Sequence, residues 1–321
     1  MVGRHRARTI WLLVTLVLVV PAALLCGAVP IDLLHPSIMR TVFGLRLARI
    51  AAAALVGASV SLAGALLQTL LENPLVDPYI MGASAGAALA VALGIVLHCA
   101  VALLPGFAAV AALGATAATA ELARIGTRIS PERVILAGVS LSAICAAIVT
   151  MITILLPSLA GELALLGWLG GGLAGRTWSD LLWPALYAFG GTMIAFALAP
   201  RLNLLRLGRD RAAALGFDMV VLPWLIVVAA ALLTAASVSL AGMIGFVGLL
   251  VPHATRRWIG GDARWHLPST ALLGAITLVV ADTLARSVLP PIELPLGPLL
   301  AIGGIPAVLL LALRRSPANL L

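Results

Sequence analysis

The sequence predicts an all-α integral membrane protein of about ten transmembrane helices, and three observations carry that prediction. Of 321 residues, 62% are hydrophobic and only 10% charged, with a mean hydropathy of +1.16. Soluble domains carry about a quarter charged residues. The apolar residues also fall in long unbroken runs rather than in period-two alternation, which favours helices over a barrel. Finally, most of the charges fall in the short stretches between those runs.

Ten spans can be drawn, at roughly 10–29, 50–71, 79–97, 106–123, 134–156, 181–199, 219–240, 243–257, 267–288 and 298–313. Each is about long enough to cross, the eighth being short. With the amino terminus inside, fifteen arginines fall on the inner side (Arg4, Arg6, Arg8, Arg124, Arg128, Arg133, Arg201, Arg206, Arg209, Arg211, Arg256, Arg257, Arg264, Arg314 and Arg315). Five fall outside: Arg40, Arg46, Arg49, Arg176 and Arg286. The positive-inside bias supports that orientation, with both termini inside. The opening "RHRAR" and apolar run outline a signal sequence, but the run is long and Leu25 before Cys26 is too bulky for a lipoprotein cleavage site. An uncleaved first span is expected. The whole of 1–321 reads as one transmembrane domain.

All 20 basic residues are arginine. Without lysine the chain has no Walker A motif and no Schiff-base chemistry. The net charge of +8 is spread between apolar runs, which fits membrane topology rather than nucleic acid. Cys26, Cys99 and Cys145 lack metal or redox spacing and read as buried small hydrophobes. No metal site is expected, and His253, at an inner helix end, reads as a hydrogen-bonded structural residue.

Several stretches carry more specific content. In "GLRLARI", Arg46 and Arg49 are three apart and share a face at the outer mouth of the second span. They read either as headgroup anchors or as an exposed basic rim for an acidic partner. Asp282 and Arg286 stand four apart, acid first, as expected of an intrahelical ion pair. "ENPLVDPYIMG", 72–82, breaks helix on both sides, giving a stiff connection with Glu72 and Asp77 at the inner mouth. "RLNLLRLGRDRAAALGFD", 201–218, predicts a short basic helix on the inner side, lying on the membrane or in a partner's groove. "GMIGFVGLLVPHATRR" spaces glycines three apart and then bends at Pro252. "ASVSLAG" occurs identically at 58–64 and 236–242, in oppositely directed spans, which suggests inverted repeats.

Taken in order, "RLAR", "LVGASVSLAGALLQTLLENPLVDPYIMGASAGAALA", "LAGVSLSAICAAI", "LGRDRAAALG", "LAGMIGFVGLLVPH", "LLGAITLVVADTLAR" and "IELPLGPLLAIGGIPAVLLLALRR" span almost the whole chain. Together they resemble the membrane permease of ABC importers for iron–siderophore complexes, haem and vitamin B12. That resemblance implies the type II ABC importer permease fold and a transport subunit that is not itself an enzyme. The partners it implies are a second permease copy, two separate ATPase subunits that hold ATP and magnesium, and an extracytoplasmic binding protein. It places binding-protein docking on Arg46, Arg49 and Arg286. It places ATPase coupling on Leu207, Gly208, Arg209, Asp210, Ala212, Leu215 and Gly216. Here Arg209 and Asp210 stand where family members often have two acids. The inner gate would comprise Asn73 and Leu75, with Ser130 and Pro131 before span five, where the proline would alter the gate's hydrogen bonding. The rival reading is an ion-coupled secondary transporter, which would want an unpaired acid in mid-membrane.

Overall fold

A computed structural model describes residues 2–27, 36–126, 128–155, 167–206, 221–290 and 292–313. Ten α-helices of 13 residues or more run through the described residues in the order the apolar runs predict, beside a short helical stretch at 167–170. They are α1 (Val2–Leu25), α2 (Pro36–Leu70), α3 (Ala83–Val96), α4 (Leu104–Leu122), α5 (Pro131–Leu155), α6 (Trp178–Leu205), α7 (Val221–Ala241), α8 (Val247–Ile259), α9 (Ala263–Ser287) and α10 (Leu296–Leu313). Seven are long and apolar enough to cross a membrane by themselves. The 14 residues of α3 and 13 of α8 are not, at about 20 Å against a core of about 30 Å. Each adjoins chain that is not α-helical instead: a 3-10 turn at Pro78–Met81 precedes α3, and the irregular 243–245 precedes α8. Irregular backbone of this kind is tolerated where protein surrounds it.

The longest helix departs most from expectation. The second span was expected to begin near residue 50, yet α2 starts at Pro36 and carries Arg40, Arg46 and Arg49 within its length. The reason is charge satisfaction by neighbouring helices, described below. Helices α2 and α7 are buried over most of their length and form the centre of the bundle. Leu62, Leu66, Leu67 and Leu70 of α2 pack with Leu198 and Leu202 of α6 and Ile226 and Leu233 of α7. Small residues let backbones touch. A Cβ at Gly57 of α2 would overlap the carbonyl oxygen of Gly274 in α9, and one at Gly64 would overlap that of Gly248 in α8.

The two "ASVSLAG" copies end differently. The first lies wholly inside α2, whereas the second closes α7 at Gly242, whose φ is +66°. Between α4 and α5, Arg124–Ile125 and Arg128–Ile129 pair as a two-stranded antiparallel ribbon. The pattern of apolar runs gave no sign of it. The cysteines correct another expectation: only Cys145 is buried, Cys99 is half-buried and Cys26, just past the end of α1, is exposed.

Candidate functional site

The three arginines singled out for docking come together, but not as an exposed rim. Arg46 is 7% exposed and Arg286 is 4% exposed, one on α2 and the other on α9. Arg46 Nη1 donates to the carbonyl of Leu24 at 2.8 Å, and Arg286 Nη2 donates to that of Ala23 at 2.7 Å. Both acceptors are in the last turn of α1, where carbonyls lack intrahelical donors and the helix dipole favours cations. These guanidiniums therefore cap α1 while helping to line the pocket beside it. Neither headgroup anchoring nor a free-standing rim describes that arrangement.

Arg49 supplies the other half. Its Nε lies 3.0 Å from both carboxylate oxygens of Asp282, its Nη2 lies 2.9 Å from Oδ1, and its Nη1 reaches Glu293 at 2.8 Å. Asp282 is 1% exposed. The expected intrahelical partner, Arg286, approaches Asp282 only to 3.8 Å. The principal ion pair thus joins α9 to α2, because a forked guanidinium on a facing helix meets a carboxylate better than one on the same helix wall. Arg46, Arg49, Arg286 and Glu293 line a cavity of about 270 Å³ together with Arg176. Burial lowers the Arg176 pKa against the pull of Asp180, and its Nε has no hydrogen-bond partner among the described residues. Four cations facing one lining carboxylate, with Asp282 behind, leave a net positive cup. Arg176 and Glu293 were not singled out from the sequence, where each stands alone in a loop.

The linker between α2 and α3 is compact. Asn73 Oδ1 accepts from the backbone N–H of Leu75 at 2.9 Å, forming an Asx turn, and Leu75 projects into solvent at 51% exposure. Asp77 Oδ1 caps the 3-10 turn through the N–H of Tyr79 at 2.9 Å. Glu72 is exposed, whereas Asp77 is half-buried. Burial pushes its carboxyl up to about 6, against donation from the backbone N–H groups of Tyr79 and Phe246. A carboxyl titrating there would interest the ion-coupled reading, yet those backbone donors give it a capping role. Ser130 and Pro131 open α5: Pro131 is the first helical residue, where its missing N–H costs nothing. Ser130 Oγ donates to Glu132 at 2.6 Å, and its carbonyl accepts from Val134 N–H.

The coupling stretch 201–218 is divided. Residues 201–205 are the last turn of α6, while Leu207, Gly208, Arg209, Asp210, Ala212, Leu215 and Gly216 lie outside the described residues. Among the described residues no cluster of His, Cys, Asp or Glu could hold a metal ion. A histidine that sequence reasoning passed over, His266, is buried with Nε2 3.0 Å from the Pro252 carbonyl.

Comparison with known proteins supplies the decisive observation: the model of the FecCD transport family matches residues 9–314. The chain belongs to the FecCD transport family. Within curated FecCD-like relatives it is 40% identical to the Fe(3+) dicitrate transport system permease protein FecC of Escherichia coli strain K12, over 85% of this chain and 82% of that one. It is 37% identical to the vitamin B12 import system permease protein BtuC of Vibrio cholerae serotype O1, over 85% of this chain and 83% of the relative. A solved structure described as an inward-facing conformation of a metal-chelate type ABC transporter superposes with a TM-score of 0.87. The two are 30% identical, and the match covers 95% of this chain and 98% of that one. The fold is that of a type II ABC importer permease, and the protein is a multi-pass membrane transport subunit.

Proposed function

We propose that this FecCD permease imports an iron chelate, a ferric siderophore or haem, with a cobalamin-type corrinoid as the second choice. The observation that carries the reading is the family match across almost the whole chain, joined to relatives whose names specify ferric dicitrate and vitamin B12. In this reading two copies of the chain enclose the pathway, two separate ATPase subunits sit below, and an extracytoplasmic binding protein docks above. ATP closing the motor subunits changes the relative free energies of inward- and outward-facing pores. The coupling stretch within 201–218 transmits that difference. The positive cup around Arg46, Arg49 and Arg286 is the docking face for acidic side chains of the binding protein. Asn73, Leu75, Ser130 and Pro131 form the inner gate, with both termini in the cytoplasm of a bacterial cell.

Uptake in a strain lacking the chain tests the substrate. Ferric siderophores, haem and cobalamin are offered separately, and accumulation of one class should be lost and then restored by the gene. Purified without its ATPase into vesicles, the protein should move no cargo uphill. Accumulation driven by an ion gradient alone would replace this reading with the secondary-transporter one.

A further inference from the structure

Gln68 is a lone amide in the apolar stretch "LLQTLL" near the end of α2, and it is 2% exposed. Its Nε2 faces three backbone carbonyls: Val76 in the α2–α3 linker at 3.2 Å, Gly248 at 3.3 Å and Leu249 at 3.1 Å, the last two in α8. Three acceptors around one nitrogen fix the amide's orientation, since the flipped form would set oxygen against oxygen. Its own Oε1 is buried and has no partner among the described residues. The side chain is therefore held for what it donates.

The need for a donor follows from the sequence of α8. In a helix the carbonyl of residue 248 is paired with the N–H of residue 252, and residue 252 is a proline inside α8. Gly248 O thus lacks its helical donor, deep in the protein, where an unpaired carbonyl is costly. One turn along α2 from Gln68, Gly64 touches Gly248 so closely that any side chain there would overlap its carbonyl. That approach brings the amide within reach. Pro78, at the end of the linker, also packs against Gly248.

We propose that Gln68 is a positioning residue of the transport cycle, supplying the hydrogen bond that Pro252 removes from α8 and using the same amino group to hold the α2–α3 linker at Val76. The linker is thereby tied to α8 in the second half of the chain. A shift of α8 relative to α2 is passed directly to the segment carrying Asn73 and Leu75. The consequence for transport rests on reading that segment as the inner gate.

Hydrogen exchange on the intact permease–ATPase complex tests the tie. In Gln68→Leu, peptides covering 72–79 should exchange about tenfold faster, the effect of losing a buried hydrogen bond, while peptides covering α3 and α4 keep their rates. Because leucine also removes the unpaired Oε1, the variant should fold. Adding Pro252→Ala restores a donor for Gly248 O within α8. The double variant should then regain protection in α8 while the linker stays fast. Unchanged exchange at 72–79 in Gln68→Leu, or equal acceleration everywhere, overturns the proposal. Passive release of trapped ferric citrate from vesicles separates the two layers. A loosened linker without faster release would leave the tie intact and refute the gate reading.

Discussion

Replacing Asp282 by alanine isolates the electrostatic joint between α2 and α9. The carboxylate is almost fully buried and engages Arg49 through three contacts of 2.9–3.0 Å. Its loss leaves Arg49 with Glu293 alone, takes the carboxylate from beside Arg286, and raises the net charge of the buried cluster by one. Removing one partner of a buried pair costs about 3–5 kcal/mol, most of it from the uncompensated charge left behind. Glu293 is bound to the same guanidinium at 2.8 Å but is 37% exposed, so solvent screens it and Glu293→Ala should cost less than about 1 kcal/mol. The assay is reversible denaturation in detergent, run as a double-mutant cycle with Arg49→Ala. Asp282→Ala should be the more damaging variant by several-fold. Its coupling to Arg49→Ala should reach the upper part of the usual range of about 0.5–3 kcal/mol. Equal costs for the two acids, or additive effects of Asp282→Ala and Arg49→Ala, would refute the assignment of Asp282 as the principal partner.

Other perturbations probe different parts of the structure. Arg46→Glu and Arg286→Glu should weaken capture of the binding protein, and the loss should shrink at high salt as screening grows; unaltered capture in a surface-binding assay would reduce both residues to caps of α1. Gly64→Leu should cost more than about 2 kcal/mol or abolish folding, because its Cβ overlaps the backbone of α8. Gly114→Leu, with nothing within 4 Å of its Cβ, should leave the melting temperature unchanged, so equal effects of the two would sink the close-packing argument.

Period and hydropathy were sufficient to locate ten helices, since lipid-facing and core-facing runs are both apolar and both continuous. They misplaced the start of α2 because an arginine inside a span reads as a boundary when its partner is unseen. Asp282 and Glu293 stand more than 230 residues downstream of Arg49. The same blindness hid the closer partner of Asp282: spacing four finds Arg286, which does approach it at 3.8 Å, but carries no information about Arg49 on the facing helix. Gln68 was legible only as an odd polar letter in an apolar run. Its purpose depends on Pro252, which lies 184 positions further along the chain and reaches the amide only through the contact of two glycines.

What the sequence by itself determined is the solvent this chain lives in, the order of its long apolar helices and the family to which it belongs. These follow from composition, periodicity and ordered motifs, all of which are local or additive along the chain. Which groups satisfy one another was decided only in three dimensions. The heptapeptide "ASVSLAG" makes the point: one copy runs on as helix through Gly64, and the other ends at Gly242 in a left-handed turn packed on the carbonyl of Trp168. Identical residues carry identical propensities, so the difference between them comes from the chain that follows each copy and the neighbours it packs against.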